Sequence, residues 1–141
     1  MNDSVIVWDQ KEPTLNNYSQ ETLYWQSYTN DSNGTSIPAY LEIHATRLRA
    51  KYLEFIHDLG EQQIKGKSVI EHLAIEEDFS FWWMTLLAEK STLKSPQIYD
   101  CLRLMALEEV LLKVKPSHLS LVSSDKNLAK AMQGKRGSLN F

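Results

Sequence analysis

A chain of 141 residues suits one domain and is long enough to bury a core without disulfides or metals. Its composition, 43% hydrophobic and 23% charged, excludes a disordered chain, and a net charge of −3 argues against a general nucleic-acid binder, which needs a basic face. Cys101 stands alone, the Met-Asn-Asp-Ser start lacks the charged and apolar regions of a signal peptide, and no run approaches the ~20 apolar residues of a membrane span, so a cytoplasmic location is expected.

Val5-Ile6-Val7-Trp8 is an apolar, β-branched run closed by Asp9, Gln10, Lys11 and Pro13, and it predicts a strand buried on both faces. Residues 9–37 are polar and irregular and predict a loop region, with Tyr24, Trp25 and Tyr28 on a short helical turn and Asn30–Ser36 as loop. A loop after a first strand lies where α/β sheets bind ligands, although these rings also suit a lid over the core. The sequons at Asn17, Asn30 and Asn33 read as polar loop in the absence of an export signal.

Ser36-Ile37-Pro38 opens a long helix with an apolar seam at Leu41, Ala45, Leu48, Tyr52, Phe55 and Leu59, ended by Gly60. Gly60 to Ser68 nearly spells a phosphate-binding loop, but it has five residues between its glycines instead of four and follows a helix instead of a strand. Gly66 therefore reads as a turn. Ser68–Ile75 is ambiguous by period. In Asp78–Lys90, Asp78 is placed to cap a helix from Phe79, and Phe79, Phe81, Trp82, Trp83, Leu86 and Leu87 cover most of its circumference. That pattern predicts a central helix buried on several sides. After a polar turn at Ser91–Ser95, Pro96 starts a helix to Lys113 or Val114 with apolar residues on two sides. Leu119–Ser124 is a second strand, Asp125 caps a helix to about Gln133 ended by Gly134, and residues 134–141 form a loose tail. The fold expected is α/β, with Rossmann-like βα units and a large helical layer. Two legible strands are few for such a sheet, which suggests an incomplete amino-terminal domain of a longer protein.

The signatures of zinc hydrolases, thiol redox proteins and serine hydrolases are missing from the sequence. His44 and His57 share a helix but are separated by roughly 20 Å along it, so they cannot share a metal. Neither a metal nor a cofactor is called for, and no catalytic residue can be named. The best polar cluster is Thr85, Glu89, Lys90, Ser91, Lys94 and Ser95, where the start of a helix beside two lysines suits an anion such as a sugar nucleotide. An ion pair between Glu89 and Lys90 at a helix end is the plainer reading. Ser124 and Asp125, at the carboxyl end of the second strand, complete the candidate ligand-binding residues.

Two blocks, Gly66-Lys67-Ser-Val-Ile-Glu-His72-Leu and Phe79-Ser-Phe-Trp82-Trp83-Met84-Thr85-Leu86-Leu87-x-Glu89-Lys90-Ser91, resemble a bacterial family of surface-carbohydrate biosynthesis proteins. The same likeness extends through Leu48-Arg49-x-Lys51-Tyr52-Leu53, Lys94-Ser95-Pro96-Gln97-Ile98, Arg103-Leu104-Met105-Ala106 and Leu119-Ser-Leu-Val-Ser-Ser-Asp-Lys-x-Leu-Ala. Members are much longer proteins, assigned as transferases of capsule, O-antigen and similar polysaccharide clusters. The resemblance implies the amino-terminal, acceptor-side portion of a glycosyltransferase, inactive alone, whose ligand is a nucleotide sugar or a carbohydrate acceptor. A non-catalytic scaffold of a polysaccharide-assembly complex is the alternative, and a sugar-nucleotide-binding module a weaker one. Peripheral membrane association and a protein partner are compatible with each.

Overall fold

In the computed structural model, which describes residues 4–10, 21–29 and 34–136, the apolar run near the amino end forms β1 (Ser4–Asp9). Asn17, Asn30 and Asn33 of the sequons, most of the expected Asn30–Ser36 loop and residues 137–141 of the expected tail lie outside the described residues. The chain divides into two compact units: Met1–Ile43 with Met105–Phe141, and His44–Leu104.

In the first unit, β1 is parallel to β2 (Glu21–Tyr24), with Val5 opposite Glu21 and Trp8 opposite Tyr24. β3 (Gly34–Ser36) adds in parallel to β2, with Thr22 opposite Gly34. The expectation that residues 9–37 are loop, with a helical turn at Tyr24, is therefore corrected. Glu21–Tyr24 is too short to announce a strand by itself, and it becomes one because β1 offers it a hydrogen-bonding edge. Leu23 and Tyr24 are buried. Gly34 is needed for the pairing: a Cβ there would lie 2.5 Å from Tyr24 Cε2 and 2.9 Å from the Thr22 carbonyl.

The long helix predicted from Ser36 is two helices, α1 (Ile37–Ile43) and α2 (Ala45–Glu61). Ser36 caps the first, its hydroxyl accepting from the Ala39 amide at 3.2 Å. The break falls at His44, where the chain passes from the first unit to the second.

In the second unit, the buried seam of α2 is Leu48, Tyr52, Ile56 and Gly60, and Phe55 of the expected seam is exposed. Gly60 does not end the helix. A Cβ at that position would lie 3.1 Å from Ile70 Cδ1 and from the Trp82 ring, so glycine serves close packing there. β4 (Gln63–Ile64) and β5 (Lys67–Ser68) make an antiparallel hairpin closed by Lys65 and Gly66, both at positive φ, the backbone a two-residue turn of this kind requires. The ambiguous segment resolves into α3 (Val69–His72), held by a capping box between Ser68 and Glu71, and β6 (Ala74–Glu76).

The expected central helix does not form. β6 pairs with β7 (Phe79–Ser80), which puts Asp78 in a hairpin turn instead of a cap. A 3₁₀ turn follows at Phe81–Met84, then a single helical turn, α4 (Leu86–Glu89). Ser80 and Thr85 act as local caps, each with an extended backbone, and their hydroxyls accept from the Trp82 and Ala88 amides at 3.2 and 3.3 Å. Trp82 is buried at 5% exposure, whereas Trp83 is 59% and Met84 62% exposed.

α5 (Gln97–Val114) matches its predicted span. Ile98, Leu102, Met105, Ala106, Leu107, Val110 and Leu111 are buried along it. Lys115, in the left-handed region, closes its end, its amide donating a hydrogen bond to the Leu111 carbonyl at 2.8 Å. The predicted second strand is β8 (His118–Ser123), parallel to β1 over its whole length. Asp125 caps α6 (Lys126–Arg136), which passes through Gly134, so the tail expected from that residue is helical as far as Arg136. The fold is α/β, built on a four-stranded parallel sheet of order β3-β2-β1-β8. Among the described residues no helix is long and apolar enough to cross a membrane.

Candidate functional site

Parallel strands place all their carboxyl ends on one edge of the sheet, and each strand of this sheet is followed there by a hydrogen-bonding group. β1 ends in Asp9, β3 in Ser36 and β8 in Ser123, while Gln26 and Ser27 follow β2. Consecutive strands run from β1 outward to β3, and β8 then returns to the other side of β1. The strand order therefore reverses at β1, the position where open α/β sheets form a crevice.

Asp9 organises that position. It is 9% exposed, and both oxygens of its carboxylate are held. Gln26 Nε2 donates to Oδ1 at 2.6 Å, and the Ser123 hydroxyl donates to Oδ2 at 2.5 Å. The Ser123 oxygen in turn accepts from the Asp125 amide at 2.9 Å. Asp125 Oδ1 accepts from the Asn127 and Leu128 amides at 2.8 and 3.4 Å, which uses the first donors of α6. At the neighbouring strand ends, the Trp25 amide donates to the Trp8 carbonyl at 2.9 Å and the Ser36 hydroxyl to the Ser27 carbonyl at 2.8 Å.

The eight candidates read from the sequence fall into two groups. Ser124 and Asp125 lie beside Ser123 at the carboxyl end of β8, in the first unit. The other six belong to the second unit and form a turn bonded to itself. The Thr85 hydroxyl donates to the Trp82 carbonyl at 2.7 Å. Lys90 adopts the left-handed conformation that ends α4. The Ser91 carbonyl accepts from the Lys94 and Ser95 amides at 3.2 and 3.0 Å, and the buried Ser95 donates to Gln97 Oε1 at 3.2 Å. Lys94 Nζ pairs with the Glu89 carboxylate, so the charge expected to meet an anion already has a partner. At the start of α5 the Ile98 and Tyr99 amides donate to the Ser95 and Pro96 carbonyls at 3.1 and 3.0 Å, and Asp100 adds negative charge in the first turn. The geometry of this turn favours a structural role.

Asp9 and Gln26 escaped the sequence reading. An acid directly after four apolar residues was a usable signal for Asp9, because a strand buried on both faces carries its last side chain to the sheet edge. Gln26 had none, since its role depends on a strand that the sequence does not announce. Among the described residues no group of three or more His, Cys, Asp or Glu side chains is placed to hold a metal. A separate cleft of about 440 Å³ lies between β8 and α6, lined by His118, Leu119, Leu121, Ala129 and Met132. No family model, curated protein or solved structure matches the chain.

Proposed function

We propose that this chain works in bacterial surface-carbohydrate biosynthesis as the acceptor-side portion of a sugar transferase, with a Rossmann-like sheet that takes its small ligand at the carboxyl ends of β1 and β8. The observation that carries the reading is the reversal of strand order at β1, with the buried Asp9 bound there by Gln26 and Ser123. The pathway rests on the sequence resemblance of the Gly66–Leu73 and Phe79–Ser91 blocks. Deleting the gene in its host should remove or shorten the surface polysaccharide on a gel, and the wild-type gene should restore it. An unchanged polysaccharide profile would overturn the proposal.

A second reading, an interaction module of a polysaccharide-assembly complex, is favoured by one feature. Phe79, Phe81, Trp83, Met84, Leu86 and Leu87 are all exposed, within the block that carries most of the resemblance. The same strain separates the two. A Trp83→Asp, Leu86→Asp double variant with wild-type circular dichroism restores the polysaccharide if the crevice is what matters, and fails to restore it if the exposed apolar surface is.

A further inference from the structure

We propose that the cleft between β8 and α6 is a strand-addition site, in which the edge of β8 takes up an extended, acidic segment of a partner protein as a further strand of the sheet. This site is on the side of the sheet, apart from the carboxyl ends, and is independent of the carbohydrate reading. β8 closes the strand order on one side and is paired with β1 over its whole length. The cleft, of about 440 Å³, has Ser117, His118, Leu119, Ser120 and Leu121 as one wall. Successive residues of a strand point to opposite faces. A wall made of consecutive residues is therefore the edge of the strand, with its backbone donors and acceptors, and not one of its faces. Edge strands that meet no partner are commonly guarded by a proline, a charged side chain or a bulge. His-Leu-Ser-Leu-Val-Ser has no proline, lysine, arginine or acid, and its register with β1 is unbroken.

The surroundings of the edge decide the kind of partner. Ala129, Met132 and Gln133, at helical spacing on one face of α6, form the other wall, and no acid, lysine or arginine lines the cleft. The small alanine leaves room and the methionine adapts to what enters, so apolar side chains suit the cleft, at every second position of the added strand. Around it the charge is one-sided. From Lys113 to Arg136 the sequence holds six basic residues and Asp125 as its only acid, in a chain whose net charge is −3. Lys115, Lys126 and Lys130 are exposed. Lys126 precedes Ala129 by three positions on α6, which sets it about one turn from the cleft wall. Such a rim attracts an acidic segment and repels a basic one. A second copy meets the edge less favourably, since pairing β8 with β8 brings two basic segments together, and that contact needs a high concentration.

The test is amide NMR of the isotope-labelled 141-residue chain, kept dilute and titrated with short synthetic peptides that alternate glutamate with valine, leucine or phenylalanine. Matched peptides with lysine in place of glutamate, or with a proline at the centre, run in parallel with phosphatidylglycerol vesicles and oligothymidylate. At least one acidic peptide should shift the amides of His118, Ser120, Ala129 and Met132 and slow amide exchange in β8. The lysine and proline peptides should leave those amides in place, because the first meets a rim of its own charge and the second breaks the backbone ladder. A Lys126→Glu, Lys130→Glu double variant should bind the acidic peptide roughly tenfold more weakly. The proposal is overturned if no acidic peptide moves these amides, if the lysine or proline peptide binds as well, or if the double variant binds as tightly as the wild type. It is overturned equally if the vesicles or the oligothymidylate take the edge in place of a peptide. Should the double variant not fold, the acidic and lysine peptides compared on the wild type decide.

Discussion

At the scale of single residues, Tyr52 and Glu71 show opposite outcomes of placing a polar group. The Tyr52 hydroxyl is buried and has no hydrogen-bond partner among the described residues. Burial first, and then the neighbouring Cys101, push its phenol above the ordinary tyrosine range. A buried unpaired polar group costs about 1–3 kcal/mol, so Tyr52→Phe should leave the chain as stable or raise its unfolding free energy by about 1 kcal/mol. A loss above that size in urea denaturation would show that the hydroxyl has a partner. Glu71 is the satisfied case: its carboxylate accepts from the Ser68 amide at 2.6 Å, which with the Ser68 hydroxyl holds its pKa below the usual range. A depressed folded value means that the charge stabilises the fold above the ordinary carboxylate pKa, and that this contribution disappears as pH falls through the lowered value. Glu71→Gln should therefore be less stable than the wild type at neutral pH, and the two thermal midpoints should converge on acidification. A gap that stays constant down to the acid limit would show that the charge contributes nothing.

At the scale of elements, the aromatic block marks where helical periodicity misleads. Asp78-Phe-Ser-Phe-Trp-Trp-Met has apolar residues at helical spacing, yet Ser80 and Thr85 bond to nearby amides and cut it into a strand end, a 3₁₀ turn and one helical turn. Two adjacent tryptophans end in different surroundings, so their truncations should differ sharply. Trp82→Ala should cost about 3–5 kcal/mol, as a large ring leaves the packed position against Gly60 and Ile70. Trp83→Ser should stay within about ±0.5 kcal/mol. Equal losses in denaturant titrations would mean that the apolar surface is buried in solution. In α6, Gly134 is exposed, and a Cβ there meets nothing within 4 Å. Gly134→Ala should stabilise the chain by about 0.5–1 kcal/mol, measurable as a raised thermal midpoint, because glycine loses more conformational freedom in a helix. A lowered midpoint would place a neighbour against that helix face.

At the scale of the whole molecule, the sheet is finished unevenly. β1 is paired on both sides, and its Val5 and Val7 are fully buried. β8, six residues long, pairs with β1 alone among the described residues, and Val122 is partly exposed on it. Such an edge presents a row of backbone donors and acceptors to any other strand. Ser120→Lys, at an exposed position of β8, should reduce concentration-dependent self-association in sedimentation velocity without lowering the thermal midpoint. A wild-type chain that stays monomeric at high concentration would show the edge to be covered.

What the sequence determined by itself was what neighbouring residues settle among themselves. β1 follows from four consecutive apolar residues, and α5 from a proline at its start and the Lys115-Pro116 end. Gly66 closes its turn by its own backbone, and Asp125 caps α6 through amides two and three positions away. Tertiary structure alone decided the rest, because the partners are distant in the chain. β2 and β3 have too few apolar residues to be strands except where β1 pairs with β2 and β2 in turn with β3, and Trp82 is buried where Trp83 is exposed because Gly60 of α2 lets its ring pack close. Asp9 reaches Gln26 over 17 positions and Ser123 over 114, so its place at the reversal of the sheet could be read only once the strands had come together.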